Sequence, residues 1–156
     1  LSPAVDLERA TVFTIGNRID RPVGSATAGF NTVINYEAEN TTNTGSALAK
    51  YVTKTVLLDE PSSTLKIFMD VSQPNNTQLE VYYKSAEDET AIDAVAWSLV
   101  SPTSPIPVSD TGEFSEAEWS IDPSEDFKAF KLKIVMKSEN PAFVPQSSAL
   151  RAIALV

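Results

Sequence analysis

The chain has 156 residues, 42% of them hydrophobic and 21% charged, which is the size and composition of one ordinary globular domain rather than of a disordered segment. Twelve Lys and Arg against 21 Asp and Glu leave a net charge of −9, a balance unsuited to neutralising nucleic acid or anionic lipid. Without His or Cys there is no Ser-His-Asp triad, Cys nucleophile, disulfide or zinc site of the usual type, and the missing Cys leaves the redox compartment open.

In chain order, Leu1 to Asp6 reads as extended, and a start at Leu rather than Met is expected of a fragment or a processed product. Val12 to Ile15 is a short strand candidate. Residues 16–47 hold four of the five glycines and a polar run, Glu39 to Gly45, with apolar periodicity only around Thr32 to Tyr36. Residues 1–47 are therefore expected to form an extended arm and irregular loop, and 48–156 a β-sandwich domain.

Residues 48–58 place Val52, Val56 and Leu58 opposite Lys50 and Lys54, a strand stopped by Asp59-Glu60-Pro61-Ser62-Ser63. Leu65, Ile67, Met69 and Val71 alternate with Lys66 and Asp70; Leu79, Val81 and Tyr83 alternate with Glu80, Tyr82 and Lys84. The turn formers Ser72 to Thr77 between them predict an antiparallel hairpin. Residues 85–94 are acidic and read as a loop or one helical turn. Ala96 to Val100 and Glu118 to Ile121 are short strand candidates, with prolines at 102, 105, 107 and 123 between the elements. Residues 128–137 give the clearest signal: Phe130, Leu132, Ile134 and Met136 form one face, and Lys131, Lys133 and Lys137 a wet one. On that register Ile134→Ala is costly and Lys133→Ala nearly neutral. Ala149 to Val156 is the last candidate. The sum is an all-β, antiparallel sandwich of about eight strands, jelly-roll-like, with little helix. No apolar run is long enough to span a bilayer, and no basic stretch leading into an apolar one marks a signal peptide.

Carboxylates are the only abundant groups of catalytic type. The pairs Asp59/Glu60, Asp88/Glu89 and Glu125/Asp126 border Pro or Ser loops and read as solvated turn residues, not as the facing pair a glycosidase needs. Asp70, Asn75, Asn76 and Glu80 are oxygen donors that a curled hairpin would bring together for calcium, but they lack the spacing of a calcium loop, so no metal and no cofactor is expected. The sequons at Asn40 and Asn75 read as chance without a signal peptide. Aromatic rings that could stack on a sugar are Tyr82, Trp97 and Trp119. The two tryptophans share parity with apolar neighbours and read first as core, whereas Tyr82 points outward with Glu80 and Lys84.

Taken together, Leu65-Lys66-Ile67-Phe68-Met69-Asp70, the Pro74-Asn75-Asn76-Thr77 loop, Leu79 to Lys84, Trp97, Phe130 to Met136, Asn140 to Pro145 and Leu150 to Leu155 resemble, in order and spacing, a domain of virion structural proteins of T4-like tailed phages, especially those of marine bacteria. Leu1 to Leu7 and Ala47 to Lys54 are similar too; only residues 21–46 and 101–112 are unlike it. The resemblance implies a baseplate or tail-fibre-associated β-sandwich in the virion, with no catalytic residues to carry over. The expected function is structural and non-enzymatic, in assembly and host attachment. Its partners would be other virion proteins and copies of itself, a homotrimer being the closed assembly expected; the apolar stretch 1–15 either adds an edge strand to its own sandwich or pairs with a neighbour's sheet edge, the latter being favoured. The alternative is a carbohydrate-binding sandwich that recognises host surface glycans through Tyr82, Trp97 and Trp119; a polysaccharide hydrolase or lyase ranks last.

Overall fold

The computed structural model describes residues 37–140 and 142–156. The strand candidates at Val12 to Ile15 and Thr32 to Tyr36, and most of the arm, lie outside the described residues.

Eight strands form two antiparallel sheets: β1 (Lys50–Val52), β2 (Val56–Ser62), β3 (Thr64–Ser72), β4 (Thr77–Ala86), β5 (Ser98–Val100), β6 (Ser115–Ile121), β7 (Phe127–Ser138) and β8 (Gln146–Leu155). The larger sheet runs β1-β7-β4-β5, with β2 also pairing β7, and the smaller runs β6-β3-β8. Among the described residues the only helical element is a 3-10 turn at Ile92–Ala94 in the acidic loop. It is preceded by Asp88, whose carboxylate accepts from the backbone N–H groups of Thr90 and Ala91.

Period-two alternation builds the core as expected. From the smaller sheet, Leu65, Ile67, Met69 and Val71 of β3 and Ala117, Trp119 and Ile121 of β6 turn inward. They meet Leu79 and Val81 of β4 and Phe130, Leu132 and Ile134 of β7, with Tyr83 and Met136 at the margin. Phe127 and Phe130 pack edge to face with ring centroids 6.2 Å apart. Each fully buried side chain of this size contributes about 1.5–3 kcal/mol.

Two expectations are corrected. The strands flanking Ser72 to Asn76 are not a hairpin: β3 pairs β6 and β8, whereas β4 pairs β7 and β5, so the loop crosses from one sheet to the other. Alternation fixes which face of a strand is apolar, and two strands that face each other across a core satisfy it as well as two that lie side by side. Residues 48–58 are not one strand either. The ladder breaks at Thr53, whose hydroxyl accepts from the Leu132 N–H at 2.9 Å while its own N–H donates to Leu132 O at 2.9 Å. Strand β2 then continues through Pro61, which an edge strand tolerates, with a register shift between Leu57 and Ser62.

Candidate functional site

The outer face of the larger sheet should be wet by the alternation rule, and it is not. Strand β4 presents Glu80, Tyr82 and Lys84 there, and β7 presents Lys133, Val135 and Lys137; all six are buried. The cover is residues 37–49, a strap that lies across the sheet, together with Trp97 after the 3-10 turn. Glu37 and Ser46 close the strap on itself, Ser46 N–H and Oγ both donating to Glu37 O. Gly45 takes φ +77°, and a methyl group there would overlap the Glu39 carboxylate, so the turn and the carboxylate position depend on glycine.

Lys133 is the centre of this second interior, with no exposed surface. Its Nζ donates to Glu39 O at 2.6 Å, Glu39 Oε2 at 2.8 Å and Thr44 O at 3.2 Å, and lies 4.8 Å from the ring centroids of both Tyr82 and Trp97. The other carboxylate oxygen of Glu39 accepts from the Ala47 N–H at 2.6 Å. Burial pushes the Lys133 ammonium below the usual lysine range, against the opposing pull of Glu39. Alongside, Lys137 pairs with Glu80 at 2.8 Å, and Glu80 also accepts from the Tyr82 hydroxyl at 2.9 Å. At the rim, Lys131 pairs with Asp93 at 2.7 Å, and that bond holds the Asp93 carboxyl below its ordinary range.

Lys84 differs from its neighbours. It is 3% exposed, yet its Nζ donates to the carbonyl of Thr42 at 2.7 Å and lies 5.0 Å from the Trp97 ring centroid, with no carboxylate in ion-pair contact among the described residues. Burial lowers its pKa. Next to it opens a cavity of about 520 Å³ lined by Thr42, Asn43, Lys84, Asp93, Trp97 and Lys131, among others. The Trp97 backbone N–H donates to Thr41 O at 3.1 Å, but its buried indole N–H has no acceptor among the described residues.

The three rings named from the sequence as sugar-contact candidates are all buried. Trp119 fills the core between the sheets at 1% exposure; Tyr82, at 7%, is on the outer face as expected but under the strap; Trp97, at 3%, belongs to the same covered cluster. Trp119 is enclosed between the sheets, and residues expected to be an arm cover Tyr82 and Trp97, of which Trp97 alone borders the cavity beside Lys84. Asp59, Glu60, Asp88, Glu89, Glu125 and Asp126 are all exposed, the first two inside β2 rather than in a loop. Asp70 and Glu80 lie on the outer faces of opposite sheets, and among the described residues no group of three or more carboxylates is placed to hold a metal ion. The residues missed by alternation are Glu39, Gly45 and the buried lysines. One signal was present: Val135 shares parity with Lys133 and Lys137, an apolar residue in the middle of a face read as wet. No family model, curated protein or solved structure matches this chain.

Proposed function

We propose that the chain is a non-enzymatic structural component of a tailed-phage virion, in the baseplate or tail-fibre region, which works by assembling with other virion proteins and with copies of itself. The resemblance in sequence suggests the setting, and the state of the sheet edges is the observation that carries an assembly role. Three of the four edges are guarded. β5 has three residues and runs into Pro102; the β1 and β2 edge is split and carries Pro61 and a register shift; β6 is covered by the segment whose Thr103 N–H donates to Glu118 O. The fourth, β8, has ten residues, no proline and a single charge, Arg151, already paired with Glu116. Past Ala149, whose positive φ accompanies the register shift against β3, residues 150–155 present Ile153 and Leu155 to solvent on an edge with no partner strand among the described residues. Such an edge accepts an added strand through its free backbone groups. A neutral edge also lets copies of a chain of net charge −9 meet without local repulsion.

The test is the solution mass of the full chain by light scattering, with hydrogen exchange at β8. A closed oligomer, a trimer on this reading, is expected, and Ile153→Lys should return it to monomer with an unchanged fold. A wild-type monomer whose β8 amides exchange as free edge amides at every concentration would overturn the assembly role. The second reading, recognition of host surface glycans, loses the stacking platform it needed and keeps only the polar cavity beside Lys84.

A further inference from the structure

Five ammonium groups lie on the outer face of the larger sheet, and three have a carboxylate within 2.8 Å: Lys133 with Glu39, Lys137 with Glu80, Lys131 with Asp93. Lys50, half-buried at the sheet edge, donates to the carbonyls of Thr44 and Gly45, which leaves Lys84 as the fully buried ammonium without a carboxylate among the described residues. A buried ion-pair partner that is missing is costly, because the desolvated charge loses water without gaining a counter-charge. The carbonyl of Thr42 and the face of Trp97 offset part of that cost, and Asp93, the nearest acid acting on Lys84, is already held by Lys131. Lys84 also forms the wall of a cavity of about 520 Å³, within the range of small-ligand sites. Trp97 also lines that wall, and its indole N–H, buried just behind it, lacks an acceptor among the described residues.

We propose that this cavity binds an acidic sugar unit, a saccharide whose carboxylate supplies the counter-ion Lys84 lacks. The chemistry of the wall selects the class. One unpaired ammonium matches one negative charge, and the Asp93 carboxylate on the same wall repels a dianion, which disfavours a phosphate monoester. Neither an arginine nor a helix N-terminus is present among the lining residues, the devices that usually hold phosphate. The rest of the lining suits hydroxyl groups: Thr42 and Thr44 from the strap offer hydroxyls, Asn43 an amide whose Nδ2 also donates to Glu37, and Asp93 a carboxylate oxygen besides the one bound by Lys131, while Val52 and Trp97 supply apolar surface. The site is made only when the strap is closed, since Thr42 to Thr44 form one of its walls. This inference concerns a ligand and is independent of the β8 edge, so each can fail without the other.

The experiment is a titration of the full chain with sodium glucuronate and sodium galacturonate, followed by heteronuclear NMR, with glucose, acetate and inorganic phosphate as separate arms. Saturable shifts at the Trp97 indole N–H and at Thr42 to Thr44 are expected with a uronate, with glucose and acetate each at least about tenfold weaker, since each lacks one half of the recognition. Lys84→Met should weaken uronate binding by about tenfold or more, whereas Lys66→Met, on the other sheet, should leave it unchanged. Binding of glucose as tight as that of uronate, binding of phosphate or acetate as tight, or no saturable shift would each overturn the proposal. Should Lys84→Met fail to fold, the wild-type indole resonance decides: it moves with uronate and not with glucose, or the proposal is wrong.

Discussion

The protein has two interiors that lie back to back on the larger sheet. One, between the sheets, is apolar throughout, built from Leu65, Ile67, Met69, Leu79, Val81, Trp119, Leu132 and Ile134. The other, under the strap, has the same strands as its floor but is filled with Lys133, Glu39, Lys137, Glu80, Lys84 and the rings of Tyr82 and Trp97. The first is stabilised by removing hydrocarbon from water, which asks only for the right face and volume. The second holds most of its charges in particular pairs, so it specifies how the strap sits and is sensitive to the loss of one partner.

The comparison is broken most forcefully at Lys133. Lys133→Ala leaves the Glu39 carboxylate without its cation under the strap, and a loss of about 3–5 kcal/mol is expected, or release of the strap if that costs less. This replaces the near-neutral effect that alternation alone assigns to the position. Removing both charges, as in Lys133→Met with Glu39→Gln, should restore most of the loss, because no buried charge is then unpaired. Denaturant unfolding of the two single variants and the double variant measures the coupling, and limited proteolysis at 37–49 reports whether the strap has lifted. Additive losses would mean that the pair is not a unit.

Ile134→Ala probes the other interior one residue away along β7. A loss of about 2–5 kcal/mol is expected from transfer and cavity terms, without selective cleavage of the strap. Adjacent residues of one strand should then fail in different ways: Ile134→Ala lowers the whole domain, and Lys133→Ala opens one layer first. Equal protease sensitivity in the two variants would erase the distinction.

The difference between the two interiors also marks what the sequence made legible. The apolar core could be read because its members sit two residues apart within β3, β4 and β7, a period any single strand displays. The pairing of β3 could not, since its partners β6 and β8 are distant in sequence and Ser72 to Thr77 suit a sheet-crossing loop as well as a hairpin. The strap interior was hidden for a related reason. Lys133 is buried by Glu39, 94 positions earlier, from a polar run that looks like a loop. A lysine on an alternating strand carries the same local signature whether water or a carboxylate caps it. Both tryptophans are buried, as their apolar parity predicts, and Tyr82 lies on the outward face, but the cover over that face comes from residues with no apolar pattern.

A pH titration sharpens the comparison without mutation. Burial holds the pKa values of Lys133 and Lys84 below the ordinary lysine value of 10.5. Between the folded value and 10.5 the unfolded chain binds more protons than the folded one, so stability rises with pH through that window. The expected signature is a contribution to the melting temperature that increases as pH approaches 10.5 from below. Lys84→Met should remove part of it. A wild-type slope identical to that of Lys84→Met would show that Lys84 is not held as an unpaired, desolvated ammonium. The apolar interior contributes no titrating group to this window.

The smallest effect is expected where the chemistry is the same as at Lys133 and only the water differs. Lys66 and Glu118 are cross-strand neighbours on the outer face of the smaller sheet, with Nζ to Oε1 at 2.9 Å and side chains 39% and 34% exposed. The distance is almost that of Lys133 to Glu39, so contact geometry alone would rate the two pairs alike. They differ in what replaces a lost partner. When Lys66 is truncated, solvent reaches Glu118 and hydrates it; no comparable path exists under the strap. Lys66→Ala should therefore change stability by less than about 0.5 kcal/mol, and less again in high salt. Measured beside Lys133→Ala, it isolates burial as the variable. A loss at Lys66 as large as that at Lys133 would mean that the strap adds nothing to its ion pair beyond what an open sheet face provides.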